Sequence, residues 1–179
     1  MHEILWHGRG GQGAFTAAKL LAAAWVFADD GHSALAWPSF GPERRGAPVR
    51  AFTRLAEGRC SDRSEIRKAD ISVYLDATLF DADKAREELK AGGIILLNSS
   101  EASPLPEALS YDASKTAQAI LGRNFPNTAL FGAAAALTGG ISRTDLAAGI
   151  SACLKSAIAK ANLEAAQAGF DALASREAA

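Results

Sequence analysis

A glycine-rich stretch near the start of the chain has the residue types and the spacing that bind phosphate groups. Residues 8–13 read GRGGQG, and Gly8, Gly10 and Gly13 form the pattern G-x-G-x-x-G between a short apolar run and a helical pattern. In a strand-to-helix turn of this kind, backbone N–H groups meet at a helix N-terminus and attract anions. The pattern predicts an anion-binding or nucleotide-binding loop, and close packing of the helix on its strand is the alternative explanation.

The other residues of the loop favour an anion. Gly11 has no side chain, so a ligand or another chain can approach the backbone closely. Arg9 offers a charge-assisted hydrogen bond, and Gln12 offers a neutral donor.

A dinucleotide site makes one more demand, an acidic residue at the end of the second strand that binds the ribose hydroxyls. The second strand is predicted over residues 32–37 and is followed by Pro-Ser-Phe, without a carboxylate. Asp29 and Asp30 are at a suitable sequence distance, but they fall in the turn before that strand. An NAD site is therefore disfavoured.

A second unusual stretch, residues 37–54, reads WPSFGPERRGAPVRAFTR. Its prolines and glycines exclude a helix and predict a shaped loop that leads into a strand. Loops at the carboxyl ends of parallel strands form the ligand crevice, so Arg9 and the pair Arg44–Arg45 are expected in one region. Such a region suits a carboxylate, a phosphate or an acidic partner surface, and a solvated basic turn is the alternative.

Strands alternating with helices predict a three-layer, Rossmann-like α/β fold with a mainly parallel sheet and an Ala-rich helical C-terminal part. One domain is expected to cover residues 1–179. Strands are predicted over residues 3–7, 32–37, 49–55, 71–75, 94–97 and 110–113. Helices are predicted over 14–28 and 81–90, with a turn at 92–93, and from 127 onwards with a break at 139–140. The alternation in VRAFTRL predicts a half-exposed strand, whereas the apolar run IILL predicts a central one.

Composition excludes several classes of partner. A net charge of −1 creates no field that would attract nucleic acid or a membrane surface. The two cysteines lack the spacing of a zinc or iron–sulfur site. No export signal is recognisable, so a cytoplasmic location is expected.

A catalytic apparatus is hard to assemble from the remaining residues. His2, His7 and His32 have no partners at metal-ligand spacing, although His7 lies beside the glycine loop. Asp76 follows a predicted strand and is either a crevice residue or a helix cap with Thr78. No catalytic residue or metal site is predicted, and the chain reads as a binding or assembly component.

Taken together, GRGGQG, PSFGPERRGAPVRAFTR and NTALFGAAAALTG resemble the gamma subunit, or gamma domain, of the 2-oxoacid:ferredoxin oxidoreductases. The resemblance follows nearly the whole chain, including D-x-x-x-x-L-D at 70–76 and N-x-E-A-x-x-A-G at 162–169. It implies a multi-subunit enzyme that converts a 2-oxoacid and coenzyme A to acyl-CoA and CO2.

The resemblance also implies the cofactors and partners of the complex. Thiamine diphosphate with Mg and 4Fe–4S clusters are expected on other subunits, with FAD in a further subunit of some complexes. The expected partners are thiamine-binding alpha and beta subunits and a ferredoxin-like iron–sulfur subunit. The glycine loop and Arg44–Arg45 would hold coenzyme A phosphates or contact those subunits. A free-standing nucleotide-binding dehydrogenase and a scaffold subunit without a ligand are the alternatives.

Overall fold

The computed structural model describes residues 1–39 and 45–177, with side chains as far as residue 175. Its strands are β1 (His2–Arg9), β2 (His32–Pro38), β3 (Pro48–Glu57), β4 (Ala69–Tyr74), β5 (Leu89–Asn98) and β6 (Ala108–Tyr111). Its helices are α1 (Ala14–Ala28), α2 (Ala82–Glu87), α3 (Ala113–Leu121), α4 (Asn127–Thr138), α5 (Arg143–Cys153) and α6 (Ser156–Glu177). A single 3-10 turn, Ala77–Leu79, follows β4.

The strands form one six-stranded sheet in the order β2-β3-β1-β4-β5-β6. Strands β1, β4, β5 and β6 pair in parallel, whereas β3 is antiparallel to both of its neighbours, β1 and β2. The predicted α/β fold with a mainly parallel sheet is therefore confirmed. Since β2 runs in the same direction as β1, β2 ends and β3 begins at the same sheet edge as the glycine loop.

Helices cover the two sheet faces unequally. Helices α1, α3, α4, α5 and α6 enclose the main core on one face, where Ile4 and Trp6 of β1 are fully buried. The other face packs against α2 and against segment 58–68, whose Ile66 contacts Leu5 and Phe52. Alternate residues of each strand therefore enter different environments, as the pleat of a strand requires.

Small residues let α4 and α6 approach closely. A Cβ atom added at Gly132 of α4 would lie 1.8 Å from the carbonyl oxygen of Ala166 in α6. A Cβ atom added at Gly169 of α6 would lie 2.0 Å from the carbonyl oxygen of Ala129 in α4. Glycine is thus required at both contacts, because real Cβ atoms do not come so near a backbone oxygen.

The sequence prediction that β3 is half exposed is wrong. Its period-2 alternation is present, but residues 51–56 are all buried. The arginine face is buried because Arg54, whose side chain is 4% exposed, pairs with Glu3 and Asp62. Ion pairs thus compensate the charge of Arg54 at a position where the alternation predicted contact with solvent.

Other predicted boundaries also differ from the structure. Helix α2 is shorter than predicted, and Gly92 and Gly93 lie inside β5 instead of in a turn. Gly92 has a φ of 76° where the pairing of β5 with β4 shifts register, which is the geometry of a bulge. Helix α3 was not predicted, although Asp112 caps its N-terminus and Gly122 follows its last residue in the left-handed region.

Candidate functional site

The glycine loop connects β1 to α1 at the carboxyl edge of the sheet. Gly8 is buried, and a Cβ atom there would lie 3.3 Å from the Cβ of Ala14. Gly13 precedes α1 with a φ of 82°, and a Cβ atom there would lie 2.7 Å from the side-chain nitrogen of Asn127. Close packing therefore accounts for these two glycines. Within the described part of the chain, no side chain caps the N-terminus of α1.

Two backbone hydrogen bonds join the glycine loop to the segment 45–47. The N–H of Gly10 donates to the carbonyl oxygen of Ala47 at 2.8 Å, and the N–H of Gly46 donates to the carbonyl oxygen of Gly10 at 3.0 Å. The predicted convergence of the two loops is thus present in the described residues.

Arg9 is committed to contacts within the chain. Its Nε donates to Asp76 Oδ2 at 3.0 Å, its Nη2 to Thr78 Oγ1 at 2.8 Å, and its Nη1 to the carbonyl oxygen of Gly46 at 3.2 Å. The Arg9 side chain is 34% exposed, so the ion pair with Asp76 is only partly screened by solvent. Arg9 therefore joins three segments of the chain and is not a free cation.

Asp76 accepts hydrogen bonds on both carboxylate oxygens. Oδ2 accepts from Arg9 and from Gln12 Nε2, at 3.0 Å each, while Oδ1 accepts from the backbone N–H and the hydroxyl of Thr78 at 3.0 and 2.6 Å. Burial alone would raise the pKa of Asp76, but these donors outweigh it and hold the pKa below its ordinary value. We call Arg9, Gln12, Gly46, Asp76 and Thr78 the Asp76 clasp.

One residue of the predicted arginine pair lies within the described residues. Arg45 is exposed at this edge and forms no ion pair with the other described residues. Arg44 lies outside the described residues. Asp76 was considered from sequence as a crevice residue or as a cap, and it is both a residue of this edge and the cap of the 3-10 turn.

A pocket of about 410 Å³ lies on the α2 side of the sheet, below the clasp. The ring of His7 stacks on Tyr74 with centroids 4.3 Å apart, and burial raises the pKa of Tyr74 to about 12. His7 Nε2 lies 3.1 Å from Glu88 Oε2 but off the N–H axis, and Arg50 Nη1 donates to Glu88 at 3.1 Å. Contacts with His7 and then Arg50 hold the pKa of Glu88 below its ordinary value.

Sequence reasoning found no partner for His7, because Glu88 is far away along the chain and carries no local signal. Glu88 and Arg50 neutralise one another, and Arg50 also pairs with Glu65. This pocket therefore offers little uncompensated charge to an anion.

A larger cleft of about 510 Å³ lies on the opposite side of the glycine loop. Apolar side chains from α3 and α6 and from Leu154, which follows α5, line it together with Asn127, Asn162 and residues 11–13. Phe125 and Ile158 are exposed there. The cleft suits a long ligand with polar and apolar parts.

Among residues 1–39 and 45–177, the structure places no carboxylate at the end of β2 for the dinucleotide hypothesis. Strand β2 ends at Pro38, and Asp29 caps the C-terminus of α1, at the sheet edge opposite the glycine loop. A ribose held at the glycine loop cannot reach that carboxylate.

Resident cofactors fit this chain poorly. The full sequence has two cysteines, whereas a cubane cluster needs four thiolates. Within 1–39 and 45–177, no group of three or more His, Cys, Asp or Glu side chains is placed to hold a metal ion. In the same ranges, no helix is long and apolar enough to cross a membrane.

Comparison with known proteins places these features in a family. Residues 3–172 match the family described as pyruvate ferredoxin/flavodoxin oxidoreductase. The chain is 38% identical over 180 residues to the Thermococcus kodakarensis protein named "Pyruvate/ketoisovalerate oxidoreductases common subunit gamma", covering 96% of each. It is 38% identical over 173 residues to "Pyruvate synthase subunit PorC" of Methanocaldococcus jannaschii, again covering 96% of each.

A solved structure agrees with these relatives. The crystal structure of the pyruvate oxidoreductase subunit PORC from Thermotoga maritima superposes with a TM-score of 0.80 at 30% identity, covering 95% of each chain.

Proposed function

Because the chain belongs to the pyruvate ferredoxin/flavodoxin oxidoreductase family and is a gamma subunit of a 2-oxoacid:ferredoxin oxidoreductase complex, we propose that its glycine-loop edge lines the entrance for coenzyme A. The observation that supports this place is the hydrogen bonding of Gly10 to Gly46 and Ala47, which brings the segment that carries Arg45 next to the glycine loop before α1. Both features attract phosphate groups.

In the proposed reaction, a 2-oxoacid loses its carboxyl group as CO2 and its acyl group forms a thioester with the sulfur of coenzyme A. Two electrons and the thiol proton of coenzyme A are released in this conversion, and ferredoxin would be the electron acceptor. Thiamine diphosphate with Mg²⁺ would be bound by the alpha and beta subunits and would supply the electron sink for decarboxylation, and a ferredoxin-like subunit would hold the iron–sulfur clusters. The gamma chain binds and orients; it holds none of these groups.

Selection of the 2-oxoacid belongs to the partner subunits in this proposal. The T. kodakarensis relative is named as a subunit common to pyruvate and ketoisovalerate oxidoreductases. A subunit shared by two such enzymes does not distinguish their substrates. We infer the same division of labour for the present chain.

Because Arg9 is bonded within the chain, Arg45 is the better residue to substitute in a test of coenzyme A binding. Replacing Arg9 would break the clasp, and replacing Gly11 would strain a backbone with a φ of 98°, so both changes would confuse binding with structure. Arg45 is exposed, so Arg45→Ala removes a charge without breaking an ion pair between described residues. Arg59→Ala, an exposed arginine on segment 58–68, is the matched control.

The experiment measures the apparent KM for coenzyme A and kcat of the assembled complex. We expect Arg45→Ala to raise that KM about five- to tenfold with kcat unchanged, the effect of losing one charged hydrogen bond at a partly hydrated site. Arg59→Ala should match the wild type. An unchanged KM in an intact Arg45→Ala complex would remove coenzyme A from this edge.

Subunit contact is the second candidate for the same edge, since proline-rich segments around Arg45 suit a fixed interface. It predicts that Arg45→Ala weakens retention of the gamma subunit, as measured by native mass spectrometry during dilution, and leaves the KM for coenzyme A unchanged in the complex that remains. The two candidates therefore give opposite patterns.

A further inference from the structure

Asp76 is the residue at which separate parts of the glycine-loop edge converge. Arg9 reaches it from the end of β1 and Gln12 from the turn before α1, sequence separations of 67 and 64 residues. Through Arg9, the carboxylate also restrains Gly46, whose backbone is bonded to the glycine loop.

A helix cap by itself needs only one carboxylate oxygen. Asp81 and Asp112 cap α2 and α3 by accepting one backbone N–H on Oδ1, from Lys84 and Lys115. Asp76 uses Oδ1 in the same way for the turn Ala77–Leu79, but its Oδ2 accepts from Arg9 and Gln12. Capping therefore explains half of the contacts of Asp76 and leaves the other half directed at the glycine loop.

We propose that Asp76 is a positioning residue that holds Arg9 and Gln12 and thereby sets the spacing between the glycine loop and Arg45. This proposal rests on the proposed function of that edge. Four donor groups surround the carboxylate. An asparagine has one acceptor oxygen. Its NH2 group would face the donors of Arg9 and Gln12 or those of Thr78, and it cannot accept hydrogen bonds from either.

The test compares Asp76→Asn with Asp81→Asn in the assembled complex. Both substitutions remove one charge from a helix-capping aspartate, but only Asp76 contacts the glycine loop. We expect Asp76→Asn to raise the apparent KM for coenzyme A about tenfold, with kcat and the KM for the 2-oxoacid unchanged. Asp81→Asn should leave all three unchanged.

Hydrogen exchange supplies a readout that does not depend on activity. The amides of Gly10 and Gly46 each donate across the two loops, so their exchange should quicken in Asp76→Asn and not in Asp81→Asn. Thr78→Val is the milder variant if Asp76→Asn fails to assemble. It removes the hydroxyl that lies between Arg9 and Asp76, and it should raise the same KM about two- to threefold.

The outcomes separate this proposal from the one on which it rests. If Arg45→Ala raises the KM for coenzyme A and Asp76→Asn does not, Asp76 has no positioning role and the edge still binds the coenzyme. Asp76→Asn could instead lower kcat in proportion to the amount of gamma subunit lost from the complex, with the KM for coenzyme A unchanged. That result would mean that Asp76 only stabilises the structure, and it would overturn the proposal. If neither variant changes the KM for coenzyme A, the proposed function of the edge is wrong, and the role of Asp76 that rests on it is wrong with it.

Discussion

The contact between α4 and α6 gives a sharp prediction for Gly132→Ala. The new Cβ atom would lie 1.8 Å from the carbonyl oxygen of Ala166 and 2.6 Å from its carbonyl carbon, whereas real Cβ contacts stay beyond 3.0 Å. Helix α6 must therefore retreat by more than an ångström, since a backbone carbonyl cannot rotate away. That shift loosens a core in which Ala133 and Ala166 are fully buried.

The expected change in unfolding free energy is the difference between two opposing effects. Overpacking of a core costs about 1–3 kcal/mol, and the upper end applies because the obstacle is backbone. Replacing glycine by alanine inside a helix returns about 0.5–1 kcal/mol. The expected net loss is about 2 kcal/mol of unfolding free energy, which lowers Tm by roughly 4–8 °C in a domain of this size.

Thermal unfolding followed by circular dichroism measures this change. The effect of replacing glycine by alanine in a helix is measured alone at position 164, which is exposed on α6, by comparing Glu164→Ala with Glu164→Gly. If Gly132→Ala melts within a degree or two of the wild type, α6 is free to move and the close approach does not stabilise the fold.

Three further predictions concern buried polar groups. Thr53→Val should lower the unfolding free energy by about 2 kcal/mol in urea denaturation, because it leaves the indole N–H of Trp6 and the carbonyl of Ala18 without their partner. Tyr74 should remain protonated well above pH 10 in an ultraviolet absorbance titration, and Tyr74→Phe should remove the step near pH 12. The loss of stability in Asp76→Asn should be full at pH 7 and should shrink as pH falls below about 4, since a lowered carboxyl pKa stabilises the fold only while the group is ionised. A loss of stability in that variant that is independent of pH would contradict the charge argument.

Local signals predicted much of the fold. Helix α1 has the predicted bounds because the glycine loop stops β1 and Gly31 follows the helix. The run IILL is part of a central parallel strand, as its uniform apolar character indicated. In both cases the information lies within a few residues of the element.

Local sequence signals do not determine the order of the strands or the pairing of side chains. Nothing in VRAFTRL says that β3 inserts antiparallel between β1 and β2, because that choice depends on pairing over long sequence separations. For the same reason the sequence suggested Arg9 as an anion ligand, whereas Asp76 already occupies its guanidinium. The sequence predicted that the two loops meet at this edge of the sheet. It did not predict the contacts within the chain that occupy Arg9.

The antiparallel placement of β3 has a consequence for engineering. Because β2 and β3 are paired from His32–Glu57 to Pro38–Ala51, the connection between them closes a hairpin that the sheet already holds together. Doubling the length of such a connection costs only about 0.6 kcal/mol of closure entropy. A peptide epitope or a fluorophore inserted after Ser39 should therefore leave the pairing of β2 with β3 intact.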